Sequence, residues 1–174
     1  MNKKTIGLFI AVAALFAVIG VAVGNQRNQA QSAKPNAVER LYAQSLTDAG
    51  GTPQKLSQWK GKPLVVNFWA TWCAPCVEEM PELSALQKEL AGTQAQIIGI
   101  GIDSPSNIRD FAAKYQISYP LYIGGMEASE LSRQLGNQAG GLPFTVLIRE
   151  DGSIRKTFLG RLKMTELRAE LARR

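Results

Sequence analysis

The sequence predicts an α/β fold in which helices cover both faces of a mixed sheet, part parallel and part antiparallel. Residues 64–69 (LVVNFW) form a nearly continuous apolar run, which is typical of a strand buried on both faces. A helical pattern and a second strand-like run at residues 96–102 follow, and this order indicates a βαβ unit with parallel strands. Asp151-Gly152 lies between two further apolar runs and predicts a hairpin, which adds antiparallel strands to the sheet.

The single elements follow from local patterns along the chain. The helix after the first strand is predicted to begin at Ala74 and to stop at Gly92, because its apolar residues recur at spacings of three and four. Ser104 and Pro105 suit a cap and a first helical position, so a second helix is expected to reach Tyr115. The remaining elements are expected in this order: an N-terminal hairpin from residues 41–46 and 54–56, a strand at 119–123, a helix at 127–135, strands at 144–148 and 153–159, and an amphipathic helix at 164–172.

The charge distribution argues against a nucleic-acid partner. The chain of 174 residues carries 20 Lys and Arg and 14 Asp and Glu, a formal net charge of +6. The basic excess lies at the two ends of the chain, while residues 39–152 hold nine basic and twelve acidic residues. Since no pattern interleaves basic and aromatic residues, we expect no nucleic acid among the partners.

The absence of histidine excludes several kinds of chemistry. Catalysis by Ser-His-Asp or Cys-His groups, zinc or haem sites with histidine ligands and histidine pH switches all need an imidazole. The chain has two cysteines, Cys73 and Cys76, so a site of four thiolates cannot be built within one chain. We therefore expect no resident metal.

An apolar segment near the N-terminus predicts a membrane anchor. Residues 6–23 (IGLFIAVAALFAVIGVAV) are 18 consecutive apolar residues, glycines included, and roughly 20 helical residues cross a bilayer core. Lys3 and Lys4 precede the segment, so the positive-inside rule places the following domain outside the cytoplasm. A cleaved signal peptide is the alternative, since Ala22-Val23-Gly24 has small residues at the required spacing. We expect an anchor at residues 1–24, a polar linker at 25–38 and one domain at 39–174.

The two cysteines form a Cys-x-x-Cys pair where the buried strand turns into the helix. The thiolate is the form that attacks disulfides, and the unsatisfied amides of a helix N-terminus favour negative charge on Cys73. Cys76, one turn further on, is then the resolving thiol, which attacks the mixed disulfide and releases the reduced substrate. A structural disulfide and half of a metal site shared with a partner are the alternatives, but so short a loop constrains the unfolded chain weakly.

Residues 66–76 (VNFWATWCAPC) resemble the active-site strand and turn of the thioredoxin superfamily. Residues 61–63 (GKP), residues 79–81 (EMP) and the predicted anchor narrow the resemblance to the membrane-anchored TlpA/ResA branch. The resemblance implies a thioredoxin-like three-layer fold preceded by one N-terminal transmembrane helix. It also implies a thiol:disulfide oxidoreductase that needs no cofactor beyond the redox-active disulfide Cys73–Cys76.

The resemblance also assigns roles to single residues. Cys73 is the nucleophile and Cys76 the resolving thiol, and Trp72 would shield the pair. Pro143 matches the cis-proline of the family, beside which the backbone of the preceding residue, Leu142, would pair with an extended substrate. Without the family, Pro143 is a proline that opens a strand.

Glu79 is the candidate for acid–base chemistry. It lies three residues after Cys76, so the two side chains share one face of the helix, and it could accept or return the proton that Cys76 loses before attack. The position matches the glutamate of the TlpA/ResA branch. The alternative is an acid that is merely favoured near a helix N-terminus. Asn67 departs from thioredoxin, which has a buried aspartate at this point, so that acid is missing here.

These observations predict a reductant that acts on proteins. The pair encloses Ala-Pro and no histidine, so its thiolate is less stabilised and its disulfide less oxidising. By resemblance, the domain is expected on the periplasmic side of the bacterial inner membrane, with a membrane thiol reductase as electron donor. Its expected clients are cysteine-containing proteins, such as an apocytochrome c haem site or a copper-protein assembly factor. The alternatives are a peroxiredoxin-like thiol peroxidase and a non-enzymatic binding module of a metal or haem pathway.

Overall fold

The computed structural model describes residues 36–93 and 95–173, which form one mixed sheet between two layers of helices. A 3-10 turn at Leu56–Trp59 follows the second strand. In chain order the helices and strands are α1 (Ala37–Tyr42), β1 (Ser45–Asp48), β2 (Pro53–Lys55), β3 (Leu64–Trp69), α2 (Ala74–Glu89), β4 (Gln96–Gly101), α3 (Pro105–Tyr115), β5 (Leu121–Ile123), α4 (Glu127–Gln134), β6 (Phe144–Ile148), β7 (Ile154–Leu159) and α5 (Met164–Ala172).

Within the described ranges the sheet has seven strands, in the order β2-β1-β5-β4-β3-β6-β7. β3 lies between β4, which is parallel to it, and β6, which is antiparallel. β5 continues the parallel part beside β4, while β1, β2 and β7 are antiparallel to their neighbours. The predicted mixed sheet is therefore confirmed, and the hairpin predicted around Asp151-Gly152 joins β6 to β7.

β3 is buried on both faces, as its continuous apolar run predicts, and every residue of the strand is inaccessible. Successive side chains alternate between two cores. Val65 and Trp69 pack with residues of α2, α3 and α5, whereas Val66 and Phe68 pack with residues of α1 and α4. By this alternation Asn67 faces the same side of the sheet as Val65, which is the side that α2 covers.

The N-terminal hairpin differs from its prediction. A strand is predicted at residues 41–46, but Leu41 and Tyr42 end α1, and β1 begins only at Ser45. Leu41 and Tyr42 pack into the core together with Val38, and spacings of three and four among these residues fit a helix, not a strand. α1 thus begins two residues before the predicted domain boundary. β1 does pair with β2, so a hairpin is present with a shifted first strand.

The remaining elements lie close to their predicted bounds. The cap of α3 is as expected, because Ser104 Oγ accepts a hydrogen bond from the N–H of Asn107 at 3.2 Å. β5 is two residues shorter than predicted. Pro120 has no N–H to donate to the ladder, and only its C=O takes part, accepting from the N–H of Gly99 at 2.9 Å.

The predicted anchor at residues 6–23 and most of the predicted linker at 25–38 lie outside the described residues. Among the helices that the structure does describe, none is long and apolar enough to cross a membrane. The transmembrane helix therefore stays a prediction.

Candidate active site

Cys73 lies at the junction of β3 and α2, as the strand-to-helix pattern predicts. It caps α2 with extended backbone angles, and its C=O accepts hydrogen bonds from the N–H groups of Cys76 and Val77 at 3.0 and 3.1 Å. Pro75 occupies the first turn, where a helix needs no donor. The free amides of this turn and the helix dipole favour a thiolate on Cys73 once the pair is reduced.

A disulfide joins Cys73 to Cys76, whose Cα atoms are 5.3 Å apart. Cys73 is 6% exposed, and the residues on either side of it, Trp72 and Ala74, are exposed. Cys76 is 0% exposed. An incoming chain therefore meets Cys73 first, which fits the predicted roles of nucleophile and resolving thiol.

Trp72, which is predicted to shield the cysteine pair, and Leu142 and Pro143, which are predicted to lie beside the substrate, are on two neighbouring loops. One loop follows β3 and the other precedes β6. Trp72 is 68% exposed, so most of its ring is available to a partner, and its shielding of the cysteine pair stays a prediction. The peptide bond between Leu142 and Pro143 is cis, as the resemblance implies. Because β6 begins directly after Pro143 and runs antiparallel to β3, Pro143 lies beside the end of β3, from which the chain continues to Cys73.

Leu142 offers an unpaired backbone next to Pro143. Its side chain is half-buried and packs against both cores, which fixes the loop. Among the described residues, neither its N–H nor its C=O makes a backbone hydrogen bond. The C=O of Pro143, by contrast, already accepts from the N–H of Gly160 at 2.8 Å. An extended chain could therefore add its own hydrogen bonds at Leu142.

Glu79 is completely buried on the face of α2 that carries Cys76. Its Oε1 accepts a hydrogen bond from Asn67 Nδ2 at 2.8 Å, and its Oε2 accepts one from the N–H of Leu162 at 2.8 Å. Burial raises the pKa of Glu79 to about 7, although these two hydrogen bonds and the charge of Arg161 act in the opposite direction. Near neutral pH the carboxyl group exists in both forms, which suits a group that accepts and returns one proton.

Asn67 connects Glu79 to the sheet. Its side chain is buried in β3, and Nδ2 also donates to Oγ1 of Thr145 in β6 at 3.0 Å. Its Oδ1 has no partner among the described residues. With an amide at this position, Glu79 is the one fully buried acid in the part of the chain that the structure describes.

Asp103 supports the site and was missed by sequence reasoning. It follows β4 and accepts hydrogen bonds from the hydroxyl of Thr71 and, at 3.1 Å, from its N–H, in the turn that leads to Cys73. Its other oxygen accepts from the N–H of Ser104 and from Asn107 Nδ2, both at 2.7 Å. Burial alone would raise the pKa of Asp103, but these hydrogen bonds outweigh it and hold the pKa below its usual value. The sequence signal that could have identified Asp103 is an acid just after β4, the strand that runs parallel to β3, since β3 leads to the cysteines.

The arrangement contains the parts of a thiol–disulfide exchange. A sulfur near the surface lies at a helix N-terminus, a second sulfur lies behind it, and a buried carboxyl group follows on the same helix face. Within residues 36–93 and 95–173, no group of three or more cysteine or acidic side chains is placed to hold a metal ion.

Comparison with known proteins points to the same chemistry. The profile of the Redoxin family matches residues 25–171. The thiol-disulfide oxidoreductase ResA of Geobacillus thermodenitrificans is 28% identical over 127 residues, which cover 72% of this chain and 71% of the relative. The thioredoxin-like protein YneN of Bacillus subtilis is 32% identical over 133 residues, which cover 73% of this chain and 74% of the relative.

Solved structures show the same fold. A thiol:disulfide interchange protein of the thioredoxin family from Chlorobium tepidum superposes with a TM-score of 0.65 at 26% identity, over 80% of this chain and 95% of that one. A secreted disulfide oxidoreductase of Mycobacterium tuberculosis, homologous to DsbE of E. coli, gives a TM-score of 0.65 at 21% identity, over 76% of this chain and 97% of that one, and this likeness concerns the fold alone. The chain belongs to the Redoxin family, and within it to the thioredoxin-like thiol:disulfide oxidoreductases of the TlpA/ResA type.

Proposed function

We propose that this chain is an exported thiol:disulfide oxidoreductase that is anchored in the bacterial inner membrane and reduces disulfides of envelope proteins. One observation carries the proposal: Cys76 lies buried behind the more accessible Cys73, with the buried carboxyl group of Glu79 on the same helix face. A disulfide with a purely structural role needs no proton acceptor of this kind. A pair that opens and closes does, because the buried thiol must lose its proton before it attacks.

The reduced pair performs the reaction in two exchanges. The thiolate of Cys73 attacks one sulfur of a client disulfide, the client S–S bond breaks, and the leaving client thiolate takes a proton from solvent. Glu79 then accepts the proton of Cys76, whose thiolate attacks the sulfur of Cys73 and displaces the second client thiolate. Glu79 returns its proton to that thiolate. The client gains two electrons and two protons, and the enzyme is left with the disulfide Cys73–Cys76.

The client is proposed to bind as an extended segment across the loop before β6. Because the backbone N–H and C=O of Leu142 make no backbone hydrogen bond among the described residues, they can pair with the backbone of such a segment. The exposed ring of Trp72 provides apolar contact area beside Cys73. Oxidised cysteine pairs, such as those of an apocytochrome c haem site or a copper-protein assembly factor, are the proposed clients.

The reducing direction is proposed from the residues between the cysteines. Ala74 and Pro75 stabilise a thiolate less than a histidine would, and a less stabilised thiolate gives a less oxidising disulfide. Electrons are proposed to come from a membrane thiol reductase. The apolar segment at residues 6–23 is proposed to anchor the protein, with the domain on the periplasmic side.

A Cys76→Ser variant of the full chain tests this function, because it stops the reaction at the mixed disulfide. In bacterial cells we expect it to accumulate adducts on Cys73 that sediment with membranes, contain envelope proteins and disappear when a reductant is added. The variant that lacks both sulfurs, Cys73→Ser with Cys76→Ser, is the matched control. Equal adducts in this control, or adducts with cytoplasmic proteins alone, would overturn the proposal.

The redox potential of the purified full chain tests the direction of electron flow. We expect a value toward the reducing end of the dithiol range, between about −200 and about −270 mV. A value near that of a strong oxidant, about −120 mV, would show that the protein donates disulfides instead.

A further inference from the structure

The segment between β7 and α5, residues 160–163, contacts both parts of the site. The N–H of Gly160 donates to the C=O of Pro143 at 2.8 Å. Two residues further on, the N–H of Leu162 donates to Oε2 of Glu79 at 2.8 Å, and the Leu162 side chain is buried in the core that α2 covers. The segment therefore supplies one of the two hydrogen bonds that the buried carboxyl group receives.

Arg161 lies between these two contacts and binds the segment to the outer face of α2. Its Nη1 lies 2.8 Å from Oε2 of Glu78, and its Nη2 lies 2.7 Å from Oε1 of Glu82. The two carboxylates are four residues apart, about one helical turn, and the planar guanidinium spans them. All three side chains are half-exposed, so these ion pairs contribute little to the stability of the whole protein. We expect these ion pairs to act mainly on the position of residues 160–163 against α2.

The charged and titratable groups around Glu79 come from three sides. On α2, Cys76 carries the proton to be moved, and the charge of Glu82 raises the pKa of Glu79. From the segment before α5, the charge of Arg161 lowers it. Before β5, the hydroxyl of Tyr119 is buried. This burial, and to a smaller extent the charge of Glu79, raises the pKa of Tyr119 well above its usual value, so this group stays neutral. From the sheet side, the hydrogen bond that Glu79 receives comes from the neutral amide of Asn67.

We propose that Arg161 is a positioning residue for Glu79: its fork across the two outer carboxylates holds the N–H of Leu162 on the buried carboxylate and supplies a favourable charge. This inference rests on the proposed function, in which Glu79 accepts the proton of Cys76. Loss of the guanidinium removes a cation near Glu79 and leaves Glu82, whose charge raises the pKa of Glu79, without this ion pair. It also removes a contact between α2 and the segment that carries the N–H donor, so this donor is held less firmly. Both changes favour the protonated carboxyl group, which cannot accept a proton from Cys76, so the second exchange slows.

A chromogenic aryl disulfide separates the two exchanges. The reduced full chain releases one coloured thiolate when Cys73 attacks and a second when Cys76 resolves the mixed disulfide. In Arg161→Gln we expect the pH inflection of the second release to move up by roughly 0.5 to 1 pH unit. At pH values below the inflection, the second release is then expected to be about three- to tenfold slower than in the wild type. The first release keeps its pH profile. Arg161→Lys keeps the charge but cannot span both carboxylates, and we expect a smaller shift.

Arg168→Gln is the matched control for surface charge. Arg168 also joins the C-terminal part of the chain to α2, through Nε and Nη2 at 3.0 and 2.8 Å from the carboxylate of Glu89. Glu89 lies more than three turns further along the helix than Cys76. We expect both releases to stay as in the wild type. A shift equal to that of Arg161→Gln would overturn the proposal.

Glu79→Gln separates this inference from the proposed function. It is expected to abolish the inflection of the second release. If it does, and Arg161→Gln leaves the inflection of the wild type in place, only the positioning role of Arg161 is wrong. If the inflection survives in Glu79→Gln, the proton transfer to Glu79 is wrong and the positioning role falls with it.

Discussion

At the scale of single residues, Glu79 shows what burial does to a carboxyl group that receives two hydrogen bonds and, within the described part of the chain, no direct ion pair. Water removed from the carboxylate is replaced by Asn67 Nδ2 and the N–H of Leu162. This replacement is incomplete, so the pKa rises from 4.5 to about 7. Between these two values the folded protein holds a proton that the unfolded chain has released, and stability must therefore depend on pH.

The sign and size of this dependence can be measured against Glu79→Gln, which has no titrating group at this position. The folded pKa lies above the unfolded one, so the stabilisation from protonated Glu79 is complete below about pH 4.5 and is lost as pH rises through about 7. At 1.36 kcal/mol per pKa unit, the wild type should lose about 3 kcal/mol relative to the variant across this range. Denaturant unfolding of the wild type and of Glu79→Gln measures the difference. Both proteins are studied with the disulfide formed, because the cysteines then do not titrate. A difference that is constant from about pH 4 to about pH 8 would contradict the raised pKa.

At the scale of elements, the turn that presents Cys73 depends on the neighbouring strand. Ala70, Thr71 and Trp72 connect β3 to α2, and the carboxylate of Asp103 at the end of β4 accepts both donors of Thr71. The N–H of Ile102 also donates to the C=O of Trp69 at 2.8 Å. The position of the nucleophile is therefore set across two parallel strands, not within its own loop.

Asp103→Asn tests this dependence. One carboxylate oxygen becomes an NH2 group that faces N–H donors, which leaves them unpaired and should lower the free energy of unfolding by about 1–3 kcal/mol. We also expect the amide of Thr71 to exchange its hydrogen faster, because its acceptor is weakened. Unfolding by denaturant and hydrogen exchange measure the two effects. Asp110→Asn, on the exposed side of α3, is the control. Equal behaviour of the two variants would show that Asp103 does not hold the turn.

The elements that the sequence predicts well are those whose burial follows a local rule. The apolar run of β3, the helical spacing of α2 and the Asp-Gly turn between β6 and β7 can each be recognised within one short continuous stretch of sequence. α1 has six residues, too few for a clear period, and only its packing against the second core makes Leu41 and Tyr42 helical. Propensity alone could not decide that segment.

The residues of the site also divide into those that the sequence predicts and those that it does not. Cys73, Cys76 and Glu79 lie within seven residues of one another, so strand-to-helix geometry brings them together in the sequence itself. The N–H of Leu162 reaches Glu79 from 83 residues away, and Thr145 reaches Asn67 from 78 residues away. No local pattern marks such partners, because their contact follows from the order of the strands.

At the scale of the whole molecule, strand order decides which helices share a face with the site. The chain passes from β3 through α2 to β4 and through α3 to β5 in one direction across the sheet, so right-handed crossovers place α2 and α3 on the same face. The return from β5 to β6 runs through α4, which packs on the opposite face with α1. α5 returns to the face of α2, and the segment before it thereby reaches Glu79.

The packing on the face of the sheet that α1 and α4 cover depends on a close approach of α4 to the sheet at Gly124. A Cβ atom there would lie 2.5 Å from Cβ of Ala128, 2.6 Å from Cγ2 of Ile100 and 3.2 Å from the C=O of Gly101. None of these atoms is the far end of a flexible side chain, so Gly124→Ala must move α4 outward, and we expect it to lower the free energy of unfolding by about 1–3 kcal/mol. The first release from the aryl disulfide should keep its rate, because Cys73 belongs to the other core. Gly50→Ala, at an exposed turn, is the control. If Gly124→Ala lowers the free energy of unfolding no more than Gly50→Ala does, α4 moves away from the sheet without cost.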